Sequence, residues 1–258
     1  MSPCLPRPRD RRTLLLAGVG AIFGGRAGAQ PAGPRVAAAS DLQVALEEIA
    51  DGFAARGGAR PRLSYGSSGQ LQQQIRQGAP FDLFFSADET LVLTLAREGW
   101  SADEGWVYGR GRLALYVPQG SALAGLPPQQ ALAAPELKRL ALANPDHAPY
   151  GRAAQQALQH LGLWATWAPR VVRAENVAQA AQFVATGNAD AGLVALALVL
   201  APRYAGRGVH QALPEAWHVP LRQRLVRRKG SGEPARAFDE YLRSAEARAV
   251  LRRYGFEA

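Results

Sequence analysis

Short apolar segments alternate with helical patterns along the chain from about residue 34 onward. The first segment, Arg35–Ala39, is followed by Leu42, Leu46, Ile49 and Phe53, whose spacing places them on one face of a helix. The same order of strand and helix recurs to the end of the chain. This alternation predicts an α/β fold.

Seven strands and several helices are predicted in this way. The strands are expected over residues 35–39, 62–65, 81–87, 113–117, 140–143, 171–173 and 191–195. Helices are expected after each of the first three strands and over residues 152–161, 177–186 and 234–254. Alternating strands and helices favour mostly parallel sheets flanked by helices. Because the pattern starts again at Leu113, we expect two such sheets in two lobes.

Four of the predicted strands end in a turn that contains Ser, Asn or Gly and leads into a helix. The turns lie within residues 36–42, 63–71, 142–151 and 171–177. The first N–H groups of a helix have no acceptor in the helix, and its dipole favours negative charge at that end. Ligands of doubly wound sheets bind beyond the carboxyl ends of the strands. The four turns are therefore expected to meet in a cleft between the lobes and to bind a small oxyanion.

The candidate ligand-binding residues are Ser40, Asp41, Ser68, Tyr150 and Val177. Both serines offer a hydroxyl and a backbone N–H, Tyr150 offers the same two groups, and Val177 offers its backbone N–H alone. A carboxylate next to a dianion is repulsive, so Asp41 is expected to turn its side chain toward its own helix and its N–H toward the cleft. Two structural interpretations stay open: Ser40 as a helix cap and Tyr150 as a packed core residue.

Catalytic motifs are weak in this sequence. Ser68 follows Gly66, but the nucleophile elbow G-x-S-x-G is not completed because Gly69 comes one residue early. No H-E-x-x-H, Walker loop or G-x-G-x-x-G is found. We therefore expect a binding protein and not an enzyme. An exported serine hydrolase that uses Ser68 with His147 is the alternative from another class.

The first 29 residues predict a cleaved export signal. Four arginines precede an apolar stretch over residues 14–23, and small residues at 27–29 supply a cleavage site. The pair Arg11 and Arg12 also fits a twin-arginine signal, so both Sec and Tat export stay open. The only cysteine, Cys4, lies in this segment, which leaves the mature chain without a thiol or disulfide. A periplasmic location is expected.

The composition indicates a globular protein and gives no sign of nucleic-acid binding. The 258 residues are 48% hydrophobic and 20% charged, which is typical of a globular protein. Of the net charge of +9, the predicted signal carries +4 (five Arg and one Asp), so the mature chain carries +5. This modest bias could steer an anion inward but is more typical of an ordinary basic, solvated surface. No run of Lys and Arg with interleaved aromatic residues occurs, so no nucleic-acid partner is expected.

Seven motifs together resemble the family of periplasmic molybdate-binding proteins of ABC importers, and they occur in order over essentially the whole mature chain. The motifs are A-A-A-S (37–40), S-S-G (67–69), G-A-P-F-D-L-F-F-S-A-D (78–88), N-P-D-H-A-P-Y-G (144–151), A-E-N-V (174–177), G-x-A-D-x-G-x-V-A-L (187–196) and R-Y-G-F (253–256). The resemblance implies a two-lobed periplasmic-binding-protein fold of type II with the ligand in the cleft. It implies a first lobe over residues 30–111 and 224–258, a second over 112–223, and crossovers near Leu113 and residues 221–226.

The resemblance also implies the roles of the candidate residues. Ser40 and Ser68 would bind through hydroxyl and backbone groups, Tyr150 and Val177 through their backbones, and Asp41 would add a donor. Some members have a ligand tyrosine where this chain has Ala195. The hydroxyl of Tyr150 is a candidate substitute.

The expected function is capture of molybdate and tungstate for delivery to a membrane permease. We expect the protein to be a monomer and to need no cofactor. The nearest alternative is another tetrahedral oxyanion, sulfate or phosphate, in which case Asp41 would accept the remaining proton of phosphate. Ferric-ion binding is a weaker alternative, since the turns offer only Tyr150 and no cluster of tyrosines and carboxylates.

Overall fold

A computed structural model describes residues 32–257, and the export signal predicted over residues 1–29 lies outside them. Ten strands are formed within the described residues. They are Arg35–Ala39 (β1), Arg62–Gly66 (β2), Leu83–Ser86 (β3), Trp106–Gly111 (β4), Leu113–Pro118 (β5), Leu140–Ala143 (β6), Val172–Ala174 (β7), Ala191–Ala195 (β8), Gly208–Ala212 (β9) and Leu221–Arg227 (β10). All seven predicted strands are confirmed, with ends that differ by at most two residues.

The strands form two five-stranded sheets, in the order β2-β1-β3-β10-β4 and β7-β6-β8-β5-β9. In the first sheet β1 pairs in parallel with β2 and β3, whereas β10 runs antiparallel to β3 and β4. In the second sheet β6 pairs in parallel with β7 and β8, whereas β5 runs antiparallel to β8 and β9. Four strands of each sheet therefore share one direction, and the predicted two-lobed α/β fold with mostly parallel sheets is confirmed.

The same part of the chain forms ten α-helices, which connect and flank the strands. They are Gln43–Ala55 (α1), Ser68–Arg76 (α2), Glu89–Arg97 (α3), Pro128–Ala133 (α4), Pro149–His160 (α5), Trp164–Trp167 (α6), Val177–Ala185 (α7), Leu196–Val199 (α8), Glu233–Leu242 (α9) and Ala245–Arg253 (α10). The stretch predicted as helical over residues 234–254 forms two helices, α9 and α10, with an interruption at Arg243 and Ser244 that was not predicted. Ser244 stops the first helix and caps the second, its Oγ accepting from the N–H of Ala247 at 3.2 Å.

The two reversed strands lie next to the places where the chain crosses between the sheets. The chain leaves the first sheet after Gly111, enters the second at β5, and returns from β9 to β10. The boundary predicted at residues 223 and 224 falls inside β10, because Leu221 and Gln223 already pair with β4 of the first sheet. Strands β4 and β9 were not predicted, since their sequences, W-V-Y-G-R-G and G-V-H-Q-A, lack a regular apolar pattern.

The carboxyl ends of four parallel strands lead directly into helix starts. Strand β1 leads into a 3₁₀ turn, Ser40–Leu42, and then into α1; β2 leads into α2, β6 into α5 and β7 into α7. One core cluster takes in side chains from both sheets, with Trp167, Tyr116 and Phe85 among its largest members, and a smaller cluster, which includes Phe84 and Leu95, is separate from it. In residues 32–257 no helix is both long and apolar enough to cross a membrane.

Candidate functional site

A small cavity lies where the four helix starts meet, and all five candidate residues line it. The lining residues are Ala39, Ser40, Asp41, Gly66, Ser67, Ser68, Ala87, Ala148, Pro149, Tyr150 and Val177. Residues from both sides of the cleft therefore share one cavity, as the sequence predicts for an oxyanion site.

The start of α2 supplies Ser68. Ser67 caps this helix, with its Oγ accepting from the N–H of Gln70 at 3.5 Å, and the N–H of Gly69 donates to the carbonyl of His147 at 3.0 Å. Ser68 is the first residue of α2, so its N–H has no acceptor in the helix. Its Oγ accepts from the N–H of Ala87 at 3.0 Å, which leaves the hydroxyl hydrogen available to another acceptor.

The start of α7 and the turn after β1 are joined through Ser40. Asn176 caps α7 by accepting from the N–H of Gln179 at 3.0 Å, and the N–H of Ala178 donates to Ser40 Oγ at 3.4 Å. Val177, the first residue of α7, therefore has an N–H without an acceptor in its helix. Ser40 again accepts a backbone N–H and keeps its own hydrogen to donate. The interpretation of Ser40 as the side-chain cap of its own helix is wrong, since no such bond forms.

The start of α5 supplies Tyr150. Pro149 occupies the first helical position, where its missing N–H is no loss, and Ala148 precedes it. The first N–H that bonds back to Ala148 is that of Arg152, at 3.0 Å. The N–H groups of Tyr150 and Gly151 therefore have no acceptor in α5.

The hydroxyl of Tyr150 is held in a buried polar cluster beside the cavity. Gln223 of β10 donates from Nε2 to Tyr150 Oη at 3.2 Å and to Asp41 Oδ2 at 2.6 Å. Tyr108 of β4 donates to Oε1 of the same glutamine at 2.6 Å, which fixes the direction of the amide. Gly111 borders the cluster, because a Cβ there would lie 2.2 Å from Tyr150 Oη. The cluster thus links Asp41 to Tyr150 through Gln223 of β10, which Tyr108 of β4 holds in place; both strands lie next to a crossover.

Two ionisable side chains of the cavity wall, Asp41 and Tyr150, have displaced pKa values, and that of Asp41 moves toward neutral pH. Burial raises its pKa from 3.8 to about 6, against the lowering effects of the Gln223 amide, the Tyr150 hydroxyl and the nearby backbone N–H groups of Asp41 and Leu42. Among the described residues, Oδ1 of Asp41 has no hydrogen-bond partner. The expectation that Asp41 turns its side chain toward its own helix is thus only half correct. The carboxylate lies near its own turn, but its side-chain hydrogen-bond partner is Gln223 of β10.

Several polar contacts cross the cleft around the cavity. Ser67 Oγ lies 2.7 Å from His147 Nδ1, and Gln70 Nε2 donates to Glu175 at 2.7 Å. Because His147 faces Ser67 and Ser68 Oγ faces Ala87, the structure does not bring Ser68 and His147 together as a catalytic pair. Within the described residues no group of three or more His, Cys, Asp or Glu side chains could hold a metal ion.

Gln223 and Tyr108 belong to the site region but were missed by sequence reasoning. Gln223 lies between Leu221 and Leu225 on the buried face of β10 and is 0% exposed. A polar residue in an inward register position of an apolar strand is the signal that could have found it. Tyr108 gives no comparable signal, because its strand lacks a regular pattern.

Comparisons with known proteins show what the chain is similar to. A family model described as bacterial extracellular solute-binding protein matches residues 34–257. The molybdate-binding protein ModA of Azotobacter vinelandii is 36% identical over 233 residues, which is 88% of this chain and 91% of that protein. The molybdate-binding protein ModA of Rhodobacter capsulatus is 32% identical over 223 residues, 85% of this chain and 86% of that protein.

Solved structures show the same fold. The periplasmic molybdate-binding protein of Azotobacter vinelandii matches with a TM-score of 0.81 and 33% identity, covering 87% of this chain and 99% of that one. The sulfate-binding protein SubI of Mycobacterium tuberculosis matches with a TM-score of 0.73 at 15% identity, covering 87% and 86% of the two chains. At that identity the second likeness shows the fold alone.

Proposed function

Because the chain belongs to the family of bacterial extracellular solute-binding proteins, we propose that it captures molybdate, and also tungstate, in the cleft between its two sheets. The observation that carries this proposal is the cavity where Ser40, Ser68, Tyr150 and Val177 meet. The similarity to molybdate-binding proteins over most of the chain supports the choice of anion. The protein would act by binding, not by catalysis.

The cavity offers up to seven hydrogen-bond donors to a tetrahedral dianion. They are the hydroxyl and backbone N–H groups of Ser40 and Ser68 and the backbone N–H groups of Asp41, Tyr150 and Val177. Both serine hydroxyls already accept a backbone N–H, so their hydrogens are oriented away from that donor and are free for a ligand. The four helix starts add the positive ends of their dipoles. Neutral donors in this arrangement replace the water shell of the anion.

The energetics of such a site are sufficient for tight binding. A hydrogen bond to a charged group contributes about 1.5–3 kcal/mol net. Micromolar binding requires about 8 kcal/mol and nanomolar binding about 12 kcal/mol. A handful of these bonds therefore covers the range after the cost of association. Fixed donors also select for size, because the oxygens of the smaller sulfate cannot reach all of them at once.

Closure of the two lobes around the anion would be the event that a membrane permease recognises. Delivery to an ABC importer, export by a cleaved signal and a periplasmic location all belong to this proposal. The cross-cleft contacts of Ser67 with His147 and of Gln70 with Glu175 are available for such closure. Hinge closure around a ligand of this kind is a common conformational change.

The test is titration calorimetry of the mature protein with molybdate, tungstate, sulfate and phosphate, together with the variant Ser68→Ala. We expect the first two anions to bind and sulfate and phosphate not to compete at equal concentration. Ser68→Ala should weaken molybdate binding about 10- to 100-fold, since it removes one hydrogen bond to a charged ligand.

Ser64→Ala is the matched control, because Ser64 lies on the same strand-to-helix segment but is exposed. It should bind molybdate as the unmodified protein does. Binding of sulfate or phosphate in place of molybdate would assign the cavity to another oxyanion. Unchanged affinity in Ser68→Ala would remove Ser68 from the site.

A further inference from the structure

The carboxyl group of Asp41 is a negative group placed in the wall of a cavity built for an anion. Asp41 is 1% exposed and lines the cavity together with Ser40, Ser68 and Tyr150. Its Oδ2 is occupied by the Gln223 amide at 2.6 Å, whereas its Oδ1 has no partner among the described residues. The orientation of Gln223 is fixed by Tyr108, so its amide is committed to Oδ2 and to the Tyr150 hydroxyl and offers Oδ1 no donor. A purely structural carboxylate would be expected to have both oxygens satisfied.

Among residues 32–257, no cation forms an ion pair with this carboxylate. The elements that pack against the Ser40–Leu42 turn include α7 and α8, whose sequences V-A-Q-A-A-Q-F-V-A and L-A-L-V contain no titratable side chain. The titratable groups that face Asp41 are the hydroxyls of Tyr108 and Tyr150, and burial keeps the pKa of both well above the usual value. Both tyrosines are therefore neutral at physiological pH.

The charged residues on the neighbouring elements are paired elsewhere. Arg222 and Arg224, on either side of Gln223, both bond to Glu89, and Arg152 of α5 bonds to Asp88. On α1 the acidic residues are partly or fully exposed and pair with arginines outside the cavity; they are Glu47, Glu48 and Asp51. An ionised Asp41 beside a dianion would thus stand unscreened in a low-dielectric cavity.

We infer that the oxyanion enters the cavity together with one proton, which is held between Oδ1 of Asp41 and an oxygen of the ligand. This inference rests on the proposed function and adds that the anion is bound together with a proton. The proton comes from solvent, and the resulting O–H···O bond turns a repulsive group into a donor. Burial already raises the pKa of Asp41 to about 6 without a dianion, and a dianion would raise it further.

The proton also bears on ligand class. A shared proton favours oxyanions whose oxygens are good proton acceptors, so it disfavours sulfate, the anion of a strong acid. It does not disfavour phosphate, which accepts a proton readily and has to be excluded by the spacing of the donors. Asp41 would then contribute to specificity by chemistry as well as by size.

Calorimetric titration of the mature protein with micromolar molybdate tests the inference. At pH 7.5, two buffers with very different ionisation enthalpies should give enthalpies that differ by the uptake of about one proton per bound anion. Between pH 7 and 8.5 the molybdate Kd should rise about tenfold per pH unit, because the free protein must first take up that proton.

Asp41→Asn keeps the shape, supplies a permanent N–H donor, and should bind molybdate without proton uptake and without this pH dependence. Asp51→Asn, the same change at an exposed position on α1, should behave as the unmodified protein. Equal enthalpies in the two buffers, or proton uptake that persists in Asp41→Asn, would overturn the inference while the proposed function stands. If Asn at position 41 prevents folding, the two-buffer titration of the unmodified protein decides alone. Absence of molybdate binding at every pH would overturn the proposed function itself.

Discussion

At the scale of single residues, Asp41 shows how a binding requirement opposes stability. A carboxylate that loses its water shell on folding destabilises the folded state unless partners replace that shell. Gln223 satisfies one oxygen of Asp41 and leaves the other without a partner. The residue is thus a stability cost in the ligand-free protein, and this cost has a defined pH dependence.

We predict that Asp41→Asn stabilises the ligand-free protein at pH 7.5 by up to about 3 kcal/mol, since about two pKa units separate 3.8 from about 6. Between pH 3.8 and about pH 6, Asp41 is protonated in the folded state and ionised in the unfolded state, so the free energy of unfolding falls as the pH rises. Above about pH 6, Asp41 is ionised in both states, and its buried charge destabilises the folded state in full. At pH 4.5 the gain should therefore shrink to about 1 kcal/mol.

Urea unfolding at the two pH values measures this difference. Asp51→Asn, exposed on α1, should change the free energy of unfolding by no more than about 0.5 kcal/mol at either pH. An equal gain at pH 4.5 and 7.5 would mean that the effect of Asp41→Asn comes from packing and not from ionisation.

At the scale of helices and strands, the start of α2 is shaped by contact with the opposite lobe. The N–H of Gly69 donates to the carbonyl of His147 at 3.0 Å, and a Cβ on Gly69 would lie 2.5 Å from that same oxygen. Gly69 does not have a positive φ, so its own helix does not require glycine there. The requirement comes from the close approach across the cleft.

Gly69→Ala should therefore impair ligand binding without harming the helix. Alanine is favoured over glycine within a helix by about 1 kcal/mol, so α2 should keep its circular-dichroism signal. The clash with His147 should hold the lobes apart and raise the molybdate Kd about tenfold or more.

Gly232→Ala is the control for this substitution. A Cβ at Gly232 would lie 3.6 Å from Pro234, an ordinary contact, and the residue is at the start of α9 outside the cavity. It should leave the Kd unchanged. Equal affinities for Gly69→Ala and the unmodified protein would show that close approach at this point is not needed for binding.

The elements of the site differ in how far the sequence could predict them. The starts of α2 and α7 follow from local rules, because Ser67 and Asn176 follow a strand and cap a helix. The start of α5 was expected at Arg152 and lies earlier, at Pro149. Convergence of these starts was predicted from strand order and is seen in the cavity that they line. Their roles as ligand donors stay a prediction.

The polar cluster behind the cavity could not be predicted in the same way. Gln223 and Asp41 are 182 residues apart, and their contact depends on how β10 returns from the second sheet to lie beside β3. Neither residue carries a local signal for the other. The hydroxyl of Tyr150 was expected as a possible ligand donor, but the same return of β10 engages it with Gln223. Long-range pairing, not local propensity, decides these contacts.

At the scale of the whole molecule, the two sheets are joined by two crossovers, by apolar packing in a core cluster that both share, and by polar contacts across the cleft. The crossovers before β5 and before β10 are covalent and allow a hinge. The polar contacts across the cleft pair Ser67 and Gln70 with His147 and Glu175, and Asp88 with Arg152. Polar contacts of this kind form and break more readily than an apolar interface. Each such contact stabilises the closed arrangement and leaves the two lobes themselves unaffected.

The ion pair between Arg152 Nη2 and Asp88 Oδ2, at 2.6 Å, offers a direct test of this division. Both side chains are partly exposed, so the pair should contribute about 0.5–1 kcal/mol to closure. Arg152→Gln should then raise the molybdate Kd about two- to fivefold, through faster dissociation in stopped-flow measurements with an unchanged association rate. The difference should shrink in 0.5 M salt, because partly exposed charges are screened there. Arg76→Gln removes an ion pair with Glu98 that lies within the first lobe and should leave the Kd unchanged. If both variants weaken binding equally, closure does not depend on which side of the cleft a charge faces, and the cross-cleft contacts lose their assigned role.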